Sequence, residues 1–179
     1  MDCFQYPLDT ETLLRKKRKL RRELLARNPH PLHKKIAILG GSTTNEVADQ
    51  LGLFLLQYGI EAEFYQSEYA QYWQDAMFDA PELAAFQPDL IFIHTTSRNI
   101  TEAPLPLSAS EQEVQDALER QYTHFTQMWE HLAATYHCPI LQNNFELPST
   151  RLMGNRDAWD CHGMVWFIQE LNRKFGQYA

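Results

Sequence analysis

Cysteine is scarce and unpatterned. Cys3, Cys138 and Cys161 are odd in number and no two stand in CxxC spacing, which argues against a disulfide framework or a zinc cage. No apolar run approaches the roughly 18 residues that a membrane-spanning helix needs. The N-terminus, MDCFQYPLDTETLL, has no basic region leading into an apolar stretch and a small-residue cleavage site, so no secretory signal is read there. The Walker pattern GxxxxGK[ST] and the dinucleotide pattern GxGxxG are both missing. A cytoplasmic protein is the reading, and in that setting the RNIT sequon at residues 98–101 carries no weight.

What is present is an ordinary globular composition: 179 residues, 44% hydrophobic and 22% charged, enough to bury a substantial core. The charge is uneven. Residues 1–35 hold 10 Lys and Arg against 4 Asp and Glu, whereas residues 36–179 hold 6 against 19, so +6 and −13 sum to the net −7. The run RKKRKLRR, Arg15 to Arg22, raises the question of nucleic acid or an anionic membrane. Leu13, Leu14, Leu20, Leu24 and Leu25 interleave with it, which reads instead as a short helix with one apolar side, lying against the acidic body. No aromatic platform accompanies the run, so neither nucleic acid nor a membrane is an expected partner.

From residue 35 strands and helices alternate. KIAILG, IEAEFY, DLIFIHT and CPILQNN read as strands. TTNEVADQLGLFLLQYG reads as a helix with Val47, Leu51, Leu55 and Tyr58 on its buried face and Gly59 as its stop. APELAAFQP is a short helix, residues 110–136 form the longest one, and GMVWFIQELNRKFG is the last. The pattern predicts an α/β, Rossmann-like fold: a parallel sheet of about four strands with helices on both faces, preceded by the basic helix. The expected division is residues 1–34 as a helical extension and 35–179 as the α/β domain. Right-handed crossovers put all strand C-terminal ends on one edge, where ligands bind in such sheets.

That rule selects residues 42–44, 65–69, 94–99 and 142–144. In GGSTTNE, Thr43 and Glu46 have capping-box spacing at a predicted helix start. Ser42 then stands just outside the helix, beside amide groups that stabilise anions and developing oxyanions. It reads equally as a turn residue and as a ligand contact or nucleophile. In HTTSRNI, Asn99 could donate to an oxyanion and Arg98 could hold a phosphate or carboxylate. In QNNFELP, Asn143 and Asn144 either tolerate a strained backbone or face a ligand. GNRDAWDCHG offers Asp157, Asp160, Cys161 and His162, but no second cluster has ligand spacing, so the expectation is a loop whose Asp160 or neighbour caps the last helix. Its DCHG is not the cobalamin pattern DxHxxG, because Val165 stands where a glycine is required. His94 and His162 are the plausible bases for Ser42, and neither has a partner carboxylate at a recognisable spacing.

Taken together, KKIAILGGSTTNEV, FYQSEYAQYWQDA, FQPDLIFIHTTSRNI, CPILQNNFELP and RLMGNRDA followed by FIQELN resemble, in order, the N-terminal region of FkbH-like proteins. Those proteins join an SGNH-hydrolase-like domain to a haloacid-dehalogenase-like domain of subclass IIIC. The resemblance implies Ser42 and Asn99 as catalytic residues, with Gly41, Thr43, Thr95, Thr96, Arg98, Asn143 and Asn144 around the substrate. Three departures stand out: Gly41 replaces the usual aspartate of GDS, Asn99 lacks the glycine and aspartate of GxND, and DxxH is absent, His162 having Trp159 three before it. The implied domain therefore stops short of its last strand and acid–base block.

The implied function is assistance in transferring a glyceryl or related acyl group to an acyl carrier protein in polyketide-type pathways. A C-terminal phosphatase-like domain would be the partner within the full-length protein. No cofactor is expected in this chain, and Mg²⁺ would belong to the phosphatase-like domain. Two other readings stay open: a non-catalytic docking module for a carrier protein, and a small phosphate-ligand or nucleotide-binding domain. An uncovered sheet edge would also favour a homodimer.

Overall fold

The computed structural model describes residues 3–78 and 80–179, which form two compact units, residues 1–92 and 93–179. In chain order the elements are α1 (Thr10–Arg15), α2 (Lys17–Arg27), β1 (Leu32–Gly40), α3 (Asn45–Gln57), β2 (Ile60–Gln66), α4 (Tyr72–Met77), α5 (Pro81–Phe86), β3 (Leu90–His94), α6 (Glu111–Tyr136), β4 (Ile140–Gln142) and α7 (Met164–Tyr178). Short 3₁₀ turns cover Ser97–Asn99 and Gly154–Ala158. The strands form one four-stranded parallel sheet in the order β2-β1-β3-β4, flanked by helices, which is the predicted α/β class.

In the first unit, β1 and β2 pair from Leu32 opposite Ile60 to Ile38 opposite Gln66. β1 begins three residues before the apolar run KIAILG, because the amide of Leu32 donates to the carbonyl of Gly59 at 2.8 Å while its first side chains stay exposed. Apolar patterning cannot register a pairing made by backbone alone. Ile36, Ile38, Ala62 and Ala48 form one buried cluster, with Leu55, Phe64, Leu90 and Phe92 packed on it.

α3 ends as expected at Gly59, whose φ of +76° suits glycine and whose amide returns to Leu56. Its buried face differs from the predicted one. Ala48, Gly52, Leu53 and Leu56 are buried, and Tyr58 is 80% exposed. The reason is that α3 has apolar neighbours on two sides. Ala48 and Leu55 meet the sheet cluster, while Leu53 and Leu56 pack against Leu24 of α2 together with Phe4, Leu20 and Leu25. Gly52 is where a strand side chain comes close: a Cβ there would lie 3.3 Å from the Phe64 ring.

The basic helix is two helices, broken at Lys16 (φ −111°, ψ 21°). Leu13 and Leu24 are buried, each burial contributing about 2 kcal/mol. Lys17 bonds Glu46 and Asp49 at 2.8 and 2.6 Å, and Arg21 bonds Glu61 at 2.9 Å, so within this unit the helix does rest on acidic residues.

In the second unit, Ser110 and Glu113 make the reciprocal capping box that starts α6, with the Glu113 carboxyl held below its usual range by the Ser110 amide. Val114, Leu118, Phe125, Trp129 and Leu132 of α6 are buried, with Tyr122 and Tyr136 at the margin. The rings of Phe125, Trp129, Phe145 and Phe175 pack with centroids 4.8–6.4 Å apart. None of the described helices is long and apolar enough to cross a membrane.

Candidate functional site

Three clusters of sequence-selected residues are built, one in the first unit and two in the second. The first is the turn between β1 and α3. Gly40 and Gly41 are buried, and a Cβ on Gly40 would stand 2.5 Å from Thr44 Cγ2 and 2.9 Å from the Ser42 carbonyl oxygen. The chain can turn this sharply only with glycine at that point. The predicted capping box of Thr43 and Glu46 does not form. The N-cap is Thr44, and it makes no side-chain cap, because its 3% exposed hydroxyl donates to Gln66 Oε1 of β2 at 2.8 Å. Glu46 goes to Lys17 instead. The start of α3 is thus left without a side-chain cap, and Thr43 is exposed. Ser42 is half-buried, and among the described residues its hydroxyl has no hydrogen-bond partner. Nearby on β2, Tyr65 donates its hydroxyl to Asp75 at 2.9 Å.

The second cluster follows β3 and β4. Thr95 is buried, and its backbone is gripped by the side chain of Asn143: the Thr95 amide donates to Asn143 Oδ1 at 2.9 Å, and Asn143 Nδ2 donates to the Thr95 carbonyl at 2.7 Å. Gln142 Nε2 donates to the Thr95 hydroxyl at 2.8 Å, and Trp129 Nε1 donates to Gln142 Oε1 at 3.4 Å. Thr96 and Asn99 form a capping box on the 3₁₀ turn, with the Thr96 amide donating to Asn99 Oδ1 at 2.9 Å. Arg98 and Asn144 are exposed.

Sequence reasoning missed one member of this cluster. Glu146 accepts from the Ser97 hydroxyl at 2.8 Å and from the Ser97 amide at 3.1 Å. Burial pushes the Glu146 carboxyl up, but the hydrogen bonds from Ser97 outweigh it and, with the nearby His94, hold the group below its usual range. The partners are 49 residues apart, and no local spacing signals such a pair.

The 153–165 loop is a third polar centre. Asp157, 1% exposed, caps α7: its Oδ1 accepts from the Val165 amide at 2.8 Å, and its Oδ2 accepts from the Met153 amide at 3.2 Å. The capping role expected of Asp160 or a neighbour therefore falls to Asp157. Asp160 binds Arg156 at 2.7 Å and His162 Nδ1 at 2.7 Å, while His162 Nε2 lies 2.9 Å from the Ala109 carbonyl. With an acceptor at each ring nitrogen, the imidazole is favoured as the doubly protonated cation; the Ala109 carbonyl and Asp160 raise its pKa. The hydrogen bonds from His162 hold the Asp160 carboxyl down at about 2. Ligand atoms of Asp160, Cys161 and His162 lie within 4.8 Å of one another, but the acceptors around His162 suit protons better than a metal ion. Burial pushes the Cys161 thiol up, aided by Asp160 and Glu111, which leaves it a poor nucleophile. His124 is half-buried, its pKa lowered by that burial, and His131 is exposed.

No protein-family model matches the chain, and no curated protein matches it in sequence. Among solved structures it is similar to the N-terminal part of the protein BF1531 from Bacteroides fragilis, described as containing a phosphatase domain complexed with Mg. The match has a TM-score of 0.70 and 17% identity and covers 90% of this chain. It covers 42% of that chain, so the present protein spans less than half the length of its structural neighbour. The likeness is one of fold.

Proposed function

We propose that the chain is the SGNH-like domain of a two-domain protein that transfers a glyceryl or related acyl group to a carrier protein, with Ser42 as the acyl acceptor. The observation that carries this reading is the β1–α3 turn. A half-buried hydroxyl, without a hydrogen-bond partner among the described residues, stands beside a helix start that no described side chain caps. Such amides stabilise negative charge, the requirement for two tetrahedral oxyanions. One forms when the hydroxyl attacks an activated acyl donor and expels its leaving group. The other forms when the carrier thiol then attacks the Ser42 ester and displaces the serine oxygen. In the proposal, Gly41 and Thr43 of the same turn shape the surroundings of Ser42, and the base comes from outside them; Arg98, Asn99 and Asn144, with Thr95, Thr96 and Asn143 around them, stand as a separate candidate set in the second unit. The phosphatase domain described for the structural neighbour supports a C-terminal partner domain of that kind, and Mg²⁺ is assigned there.

The test is labelling with a fluorophosphonate, read by intact mass and peptide mapping. It is run on this chain and on a polypeptide extended through a following strand, loop and phosphatase-like domain. Modification of Ser42 in the extended polypeptide, lost in Ser42→Ala, is the expected result. Absence of labelling in both would reduce Ser42 to a turn residue. It would favour the second reading, a non-catalytic docking module, which the engagement of Asn99 and Asn143 within the protein supports.

A further inference from the structure

His162 ties together two stretches of the second unit that are far apart in sequence. Its side chain is 13% exposed and has an oxygen at each ring nitrogen: Asp160 Oδ1 is 2.7 Å from Nδ1, and the Ala109 carbonyl oxygen is 2.9 Å from Nε2. Ala109 stands 53 residues before His162 and directly precedes Ser110, the N-cap of α6. Its carbonyl lies outside the helix ladder, which begins with the Ser110 carbonyl accepting from the Val114 amide. Among the described residues, His162 is the donor that reaches it.

The stretch held in this way, residues 103–109, joins the Thr96–Asn99 turn to α6 without regular structure. Its other end is fixed by α6 itself. Gln121 Oε1 accepts from the amides of Thr101 and Glu102 at 2.8 and 3.2 Å, and Arg120 bonds Glu102 at 2.8 Å. Between these anchors, the one backbone–backbone bond among the described residues runs from the Ala109 amide to the Pro106 carbonyl at 2.9 Å. Pro104, Pro106, Leu107 and Ser108 are exposed. The stretch is a strap pinned at both ends, and the pin at residue 109 is a titratable side chain.

We infer that His162 is a proton-operated latch on this strap, closed when the ring is charged and open when it is neutral. An imidazolium has an N–H for each of its two acceptors, whereas neutral imidazole has one. The remaining proton stays on Nδ1, because the Asp160 carboxylate accepts more strongly than a peptide carbonyl. Nε2 then turns a lone pair toward the Ala109 oxygen, and an attraction becomes a repulsion. The strap is the side that yields, since the 153–165 loop is held by both oxygens of the buried Asp157.

The charged groups around the ring set the direction. Asp160 and Arg156 come from its own loop, where Cys161 Sγ also lies 3.5 Å from Nδ1, and Glu111 comes from the first turn of α6. Two carboxylates face one guanidinium, itself tied to Asp160, so the charged ring is favoured; the Ala109 carbonyl and then Asp160 raise its pKa from the usual 6.5. The latch is therefore closed below pH 6.5 and opens as pH rises through the folded value. It requires nothing of the chemistry proposed for Ser42.

The experiment is amide hydrogen exchange of the full chain by mass spectrometry across a pH series, with rates corrected for intrinsic base catalysis. The His162 ring is titrated by NMR on the same protein. Corrected exchange in residues 103–109 is expected to rise about tenfold or more, with its midpoint at the ring titration, while the α6 interior stays protected. Asp160→Asn keeps an acceptor oxygen but removes the charge, and is expected to move both midpoints together to lower pH. His162→Gln is expected to abolish the step. An opening midpoint that departs from the ring titration overturns the latch, as does a step that survives in His162→Gln. Exchange of the strap and the α6 interior in unison also overturns it, because that marks a loss of global stability rather than release of the strap.

Discussion

Removing the carboxylate of Asp157 is expected to be among the costliest single changes in the second unit. The residue is 1% exposed and satisfies two amides, Val165 in the first turn of α7 at 2.8 Å and Met153 at 3.2 Å. α7 has no other side-chain cap, because its N-cap is Gly163. Asp157→Ala strands both donors, each costing about 1–3 kcal/mol, and the sum falls near ~3 kcal/mol once the released desolvation of the carboxylate is set against it. Asp157→Asn keeps one acceptor oxygen but turns an NH₂ toward the other amide, so about half of that loss is expected. Gly163 offers no room for relaxation, since a Cβ there would stand 2.0 Å from the Asp157 carbonyl oxygen. Urea unfolding followed by circular dichroism would show the midpoint falling for Asn and further for Ala at constant m-value. An Ala variant within about 0.5 kcal/mol of the parent would refute the capping argument.

Three other expectations follow from the same kind of accounting. Asn143→Asp replaces a donor facing the Thr95 carbonyl with a carboxylate oxygen and is expected to cost about 2 kcal/mol, more than Asn143→Ala costs in side-chain area alone; thermal unfolding of the two variants decides the order. Thr44→Val keeps the shape and deletes the bond to Gln66, for an expected loss of about 1 kcal/mol in the same assay. His162 has a raised pKa, so its contribution is complete below the unfolded value near 6.5 and is lost as pH rises through the folded value. Asp160 acts in the opposite sense, its contribution present above roughly 3.9 and lost as pH falls toward 2. Stability from this pair is expected to be flat between about pH 4 and 6.5, and an NMR titration of the His162 ring protons with a pH series of unfolding midpoints checks it.

The sheet was legible because each strand carries its own apolar run. Gly59 is a local signal, and the chain uses it as read; the Ser110–Glu113 box is equally local in spacing. The phase of α3 was not legible, because a helix buried on two sides obeys two stripes at once and Val47, Leu51, Leu55 and Tyr58 describe neither fully. The Thr43–Glu46 box failed for a related reason. Its spacing is local, but Gln66 and Lys17 compete for Thr44 and Glu46 from more than twenty residues away. Glu146 and the two-point grip of Asn143 on Thr95 are likewise products of tertiary proximity.

The side-chain amide of Asn143 presents to Thr95 the same donor–acceptor pair that a peptide unit of a neighbouring strand would present, and Asn172 does so for Phe145 with bonds of 2.9 and 2.8 Å. Two asparagines thereby serve as detached rungs, carrying the ladder past the point where the three-residue β4 stops. Substitutions at residues 147–152, between the second rung and the α7 cap, are therefore expected to be tolerated better than changes to either asparagine. A region with almost no regular structure can in this way keep its position while its sequence is rewritten.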